Sequence, residues 1–302
     1  MDSKIFLRFV LLLFASLAEP CLAQKSIKEA DSLHALIKRP DDPIKVDLLN
    51  HYVTQIRDGD NITALEWAIK ARAIAEALGY KKGQAVALAN IGWIYYRQGD
   101  FPSALENTTQ SLAISEAIRD YGEMGSGTNN LASIYVEQKE YPKALAAFKK
   151  ALAWGKKAND KFTIGRSYNN ISYVFLLTKT LDSAQYFAEA GISATHGYSA
   201  GFAWRTLGDV YVEKNELDLA ESNYLKSIAN ADSHKNFSLK VSTTYRLGKV
   251  YLCRGQTEKA LLILKENERL CKKFEFRSEL ANTYKVLALV FKRKHPMKYI
   301  LP

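Results

Sequence analysis

Asparagines stand at Asn50, Asn90, Asn130 and Asn170, each 40 residues from the next by subtraction. An amide side chain offers two donor hydrogens and an acceptor carbonyl, so a row of them can hold an extended peptide backbone without reading its side chains. The same amides can instead bond a neighbouring helix or water, and both arrangements stay open at this point. Groups suited to bond breaking are missing. The chain holds no HExxH, GxSxG, P-loop or GxGxxG sequence, so the enzyme classes built on them are excluded. Its histidines, His34, His51, His196, His234 and His295, are scattered, and none lies four residues from another histidine or a cysteine. No paired metal ligands, no cofactor and no catalytic residue are expected.

The elements that carry the asparagines are repeated hairpins. In Leu88 to Leu105, the residues Leu88, Ile91, Gly92 and Tyr95 share one helix face. Gly99-Asp100 breaks that helix, Asp100 can cap the next, and Pro102 sits in the next helix's first turn, where a missing N–H costs little. Copies follow at Leu131–Tyr135, Ile171–Phe175, Leu207–Tyr211 and Leu247–Tyr251, with a degenerate one through Leu48 and Gly59. The anchoring alanines Ala64, Ala104, Ala144, Ala184, Ala220 and Ala260 are separated by 40, 40, 40, 36 and 40 residues, by subtraction.

Trp204, Leu207, Gly208 and Tyr211, followed by Ala220 and Tyr224, resemble the tetratricopeptide repeat, whose usual period is ~34 residues. The resemblance covers about residues 46–291. It implies an all-α, right-handed superhelical solenoid of antiparallel helix pairs, with about six repeats and an unpaired helix at the C-terminal end. Such arrays are held by nearest-neighbour interfaces, because one hairpin cannot bury its apolar faces alone. In this family the first helix of each pair lines a concave groove. Carried onto the second repeat, the groove positions are Val86, Ala89, Asn90, Trp93, Tyr96 and Arg97. The asparagine series resembles the ladder of kinesin light chains and related peptide-binding members. Trp93, Tyr96 and Tyr173 should flank it, and Arg97 and Arg166 can add charge. Thr206 and Arg246 interrupt the series. Trp204 takes the family's own tryptophan place and is expected in the core. Leu49 and Val53 stand where carboxylate-clamp co-chaperones carry lysine and asparagine, so that specificity is not expected.

The candidate peptide-binding set is therefore Asn50, Asn90, Trp93, Tyr96, Arg97, Asn130, Arg166, Asn170 and Tyr173. The expected partner is a protein or peptide. The net charge of +10 suits either an acidic partner or a solvated basic surface, and no nucleic acid is expected.

Residues 1–23 read as a signal peptide, with Lys4 and Arg8 ahead of the apolar Val10–Ala18 and small residues before Gln24. The expected product is a periplasmic or secreted chain without a transmembrane helix. Residues 24–43 read as a capping helix and linker, and 44–302 as the array. Cys253 and Cys271 fall near opposite ends of one hairpin, roughly 20 Å apart at ~1.5 Å per residue, so free and at least partly buried thiols are expected. The last helix starts near Arg277. Tyr284, Leu287, Ala288 and Phe291 occupy its pattern positions, and Val286, Leu289 and Val290 look too apolar for a clean polar cap. Two readings stay open: a complete scaffold, or a truncated sensor of a histidine kinase or transcriptional regulator that dimerises through this helix.

Overall fold

Residues in the left-handed backbone region punctuate the chain. They fall at Gly79, Gly99, Arg119, Lys139, Asn159 and Lys179 in steps of 20, at Gly197 and Asn215 in steps of 18, and at Lys235, Gly255 and Glu275 in steps of 20 again. At every one except Gly197, the next residue's N–H donates to the carbonyl five residues back, as Asp100 does to Tyr95 at 3.0 Å. This bond closes a helix over its own last carbonyls. The same next residue then caps the following helix. Asp100, Asp120, Asp160 and Asn236 accept from the N–H groups of Ser103, Glu123, Phe162 and Leu239. One dipeptide therefore ends one helix and starts another, and the equal steps set equal helix lengths.

In this computed structural model, residues 36, 38–58, 60–195 and 197–294 are described. The signal-peptide and capping-helix expectations for residues 1–35 lie outside them, as do His34, His196 and His295. Thirteen helices and no strand occur among the described residues: α1 (Pro43–Ile56), α2 (Asn61–Ala77), α3 (Lys81–Gln98), α4 (Phe101–Ala117), α5 (Tyr121–Glu137), α6 (Tyr141–Lys157), α7 (Lys161–Leu177), α8 (Leu181–Ala194), α9 (Tyr198–Glu213), α10 (Leu217–Ser233), α11 (Phe237–Cys253), α12 (Thr257–Lys273) and α13 (Arg277–Lys294). The alternation expected from the repeat is present, with α13 as a seventh first helix. The 36-residue step has a local cause: α8 has 14 residues where its counterparts have 17, and α9 has 16 where α7 and α11 have 17.

Contacts divide the chain into two compact units at Asn90/Ile91, within α3. The first unit packs Val46 and Leu49 against Ala71, Ile74, Ala75 and Ala87, with Trp67 and Tyr80 alongside. The second holds one cluster around Phe148, Ile171 and Val174 and another around Tyr224, Leu247, Leu264 and Val290. All six anchoring alanines are fully buried. Small residues let helices approach closely: a Cβ added at Gly208 would meet the Tyr224 ring at 2.5 Å. Burying such contacts contributes about 25 cal/mol per Å² of apolar surface, which is why the pattern tolerates so little volume there.

Three expectations need correction. Trp204 is half-buried, not in the core. Cys253 is exposed although Cys271 is buried, and both thiols are free. On α13, Val286 and Val290 are buried against α11 and α12 residues and Leu289 alone of the three is exposed. A periodic pattern places a side chain on a helix face but does not say how far the next element covers it. Among the described residues no helix is long and apolar enough to cross a membrane.

Candidate functional site

The four asparagines fall into different surroundings. In the first unit, Asn50 and Asn90 are buried, at 3% and 2% exposure. Asn50 Nδ2 donates to the Gly83 carbonyl at 3.0 Å, and its Oδ1 is buried without a partner. Asn90 Oδ1 accepts from Arg57 Nη1 at 2.6 Å and from Thr54 Oγ1 at 3.3 Å, while Nδ2 reaches the Asn50 carbonyl at 3.4 Å. These amides join α1 to α3. Arg57, one residue beyond α1, did not stand out in the sequence, because its partner lies 33 residues away.

In the second unit, the middle of the repeat series brings several candidates together. Arg166 on α7 donates from Nη2 to Asn130 Oδ1 on α5 at 2.8 Å, and its guanidinium lies 5.1 Å from the Trp93 ring centroid. Arg over an aromatic face is attracted by the ring quadrupole. Trp93 and Tyr96 lie one turn apart on α3 with ring centroids 5.1 Å apart. Tyr96 OH donates to Glu137 Oε1 at 3.2 Å. Burial, then the Glu137 charge and its hydrogen bond, push the Tyr96 phenol up to about 12. Tyr173 is 43% exposed, and its phenol is also raised by partial burial and by Glu137. Glu137 thus bonds one candidate tyrosine and bears electrostatically on another. It was missed because an exposed acid at a helix end carries no motif.

Asn170 Nδ2 donates to Asn129 Oδ1 at 3.4 Å, and Asn129 Nδ2 donates to Ser167 Oγ at 2.9 Å. Asn169, one residue along, accepts from Thr206 Oγ1 at 2.8 Å. Thus a second asparagine row, Asn129 and Asn169, does the buried bonding beside Asn130 and Asn170. Asn130 Nδ2 has no protein acceptor among the described residues. Arg97 stands exposed at the end of α3.

Farther along, first helices α9 and α11 carry a charged cluster. Asp209 accepts from Arg246 Nε at 3.0 Å and from Tyr224 OH at 2.6 Å. Arg246 Nη1 also donates to the Ser242 carbonyl at 2.6 Å. Arg205 Nη1 donates to Ser242 Oγ at 3.1 Å. An open cleft of about 410 Å³ lies here, lined by Leu176, Asp209, Tyr224, Tyr245, Arg246 and Cys253 among others. The break in the asparagine series at Arg246 was the only sequence sign of this cluster. No group of His, Cys, Asp and Glu that could hold a metal occurs among the described residues.

Residues 53–117 and 127–159 match family models described as tetratricopeptide repeat. These segments are tetratricopeptide repeats. Their helix pairs follow the same fold in solved structures. A Rap protein complexed with competence and sporulation factor gives a TM-score of 0.59 at 16% identity, over 81% of this chain and 73% of that one. The apo form of the quorum sensor NprR from B. thuringiensis gives 0.60 at 14% identity, over 93% and 78%. BtubC from P. vanneervenii gives 0.57 at 16% identity, over 70% and 91%. At these identities the likeness is one of tetratricopeptide-repeat fold. A comparison with curated proteins returned no match.

Proposed function

We propose that this chain is a non-catalytic binding module that holds an extended peptide or protein segment against its first helices. The observation that carries this reading is the Trp93–Arg166–Asn130 contact, with Tyr96 beside Trp93 and bonded to Glu137, whose charge also acts on Tyr173. A ringed guanidinium, two phenols and an unengaged amide donor supply the aromatic anchors and backbone-bonding groups that interfaces favour. A fold neighbour complexed with competence and sporulation factor supports a ligand-binding role. Asn170, Asn50, Asn90 and Arg97 complete the proposed set; Asn50 and Asn90 would exchange a helix-to-helix bond for one to the ligand. The proposal includes export, with the mature chain starting at Gln24.

The test is selection of a random extended-octapeptide library on the immobilised chain. Wild type should enrich binders, and Trp93→Ala with Asn130→Ala should lose them while keeping its helical circular dichroism. Equal enrichment by the double variant would overturn the assignment. A second reading, a sensor portion that self-associates through α13, is supported by the exposed Tyr284 and Leu289 on that helix. Sedimentation that stays monomeric at high concentration would remove it.

A further inference from the structure

In the second unit, two guanidiniums on facing first helices stand near a single carboxylate, and only one of them pairs with it. Asp209 pairs with Arg246 and also takes the Tyr224 hydroxyl. Arg205, one turn before Asp209 on α9, makes no ion pair among the described residues. Its one side-chain hydrogen bond among the described residues is to the Ser242 hydroxyl, and its Nε is buried without an acceptor. Counting Arg205 and Arg246 against Asp209 leaves one net positive charge. The adjoining cleft is lined by Asp209 and Arg246; its Lys179 and Glu213 pair with each other at 2.5 Å, and its Lys249 adds a further positive charge.

An arginine stays protonated, so a buried one cannot shed its charge and needs an anion or water. Burial first and Arg246 second disfavour the charged form of Arg205, and Tyr173 and Tyr245 are among the groups acting on it. Those two phenols are neutral and supply no counter-ion. The guanidinium rests over the Phe202 ring, 5.5 Å from its centroid. A planar fork held on a ring, short of one negative charge, matches a carboxylate.

The geometry points to Arg205 as the anchor for a ligand carboxylate, either an acidic side chain or the C-terminus of the bound segment. This rests on the peptide-binding reading, since Tyr173 lies within electrostatic reach of both Glu137 and Arg205. It lies on the fifth repeat, away from the first-helix positions Leu49 and Val53, where a carboxylate clamp is absent. It also gives a bound segment a fixed end, which a row of amides alone cannot supply.

Three random octapeptide pools test it on the full chain and on Arg205→Gln. The first has a free C-terminus and no Asp or Glu, the second a C-terminal amide and one Asp or Glu, the third an amide and no acid. Wild type should retain one of the acid-bearing pools roughly tenfold better than the neutral one, as one charge-assisted hydrogen bond allows. Arg205→Gln should retain all three alike. Preference for the first pool identifies the terminus, and for the second the side chain. Binding of all pools alike by both proteins would overturn the anchor and leave the peptide reading intact.

If no pool binds, the peptide reading fails, and thermal unfolding decides the anchor alone. N-acetylglutamate, compared with N-acetylglutamine at matched ionic strength, should raise the melting temperature of wild type and not of Arg205→Gln. Without any ligand, Arg205→Gln should melt higher than wild type, because it removes an uncompensated charge. A lower melting temperature with no effect of N-acetylglutamate would make Arg205 structural and overturn the proposal.

Discussion

Asn90, Asn130 and Arg246 stand at the same place in three repeats, and each meets a different environment. Asn90, in the first unit, is closed in by Arg57 and Thr54 from before it in the chain, and its amide nitrogen reaches Asn50. Asn130, in the second unit, accepts from Arg166 on the following first helix and keeps a donor uncommitted. At Arg246 the amide is replaced by a cation, and Asp209 answers it. The lesson is that a repeated residue does not repeat a role. What decides is whether the helix one repeat away presents a donor, an acceptor or a charge. Asn90 holds helices together, Asn130 has a donor left over, and Arg246 trades neutral bonding for a charge balance that Arg205 then upsets.

The sharpest way to break this comparison is at Asp209. Asp209→Ala leaves Arg246 without its carboxylate and Tyr224 without its acceptor. Asp209 and Arg246 are 22% and 26% exposed, so part of the charge is solvated, and the expected loss is about 2–4 kcal/mol by urea unfolding. A loss below that of Asn130→Ala would mean that water screens the cluster.

Next come the paired asparagine variants. Asn90→Ala removes the acceptor of Arg57 and Thr54 in a buried place and should cost about 1–3 kcal/mol. Asn130→Ala removes one acceptor and should cost about 0.5–1.5 kcal/mol, while octapeptide retention falls more than for Asn90→Ala. Equal stability losses with equal binding would erase the distinction drawn between the two units.

Tyr96 offers a pH readout. Its folded phenol is raised from 10.0 to about 12, so the neutral form is favoured by folding. That contribution is complete below pH 10, the unfolded value, and is lost as pH climbs towards about 12. Phenolate absorbance should show a late-titrating tyrosine that Tyr96→Phe removes. Glu137→Gln should bring the remaining titration down, since it removes the charge that opposes ionisation.

The smallest effect concerns the thiols. Burial pushes Cys271 up to about 11, and Cys253 is exposed. A thiol reagent at neutral pH should modify Cys253 promptly and Cys271 only on unfolding. Prompt reaction of both would show that the α12 end opens readily.

Much of the fold was legible before any coordinates. The Gly99-Asp100 break, the cap at Asp100 and the proline at Pro102 are all where the residue types put them, because left-handed turns and capping bonds act within a few residues. The anchoring alanines follow from the same local period. Six pairs and a seventh first helix then result from counting. That Trp93, Tyr96, Asn130, Arg166 and Tyr173 lie on successive first helices was also legible, from the repeat register.

Their partners were not. Arg57 meets Asn90 across 33 residues, Asn130 meets Arg166 across 36, and Tyr96 meets Glu137 across 41. Such separations carry no local rule, since they depend on how one rigid hairpin seats on the next and on shifts such as the shortened α8. The half-burial of Trp204 and the exposure of Cys253 have the same origin. The sequence by itself determined where helices begin, end and turn, through short-range bonding and period. Only the tertiary structure decided which polar groups close on one another and which, like Asn130 Nδ2 and Arg205 Nε, are left over, because that balance is struck between helices a whole repeat apart.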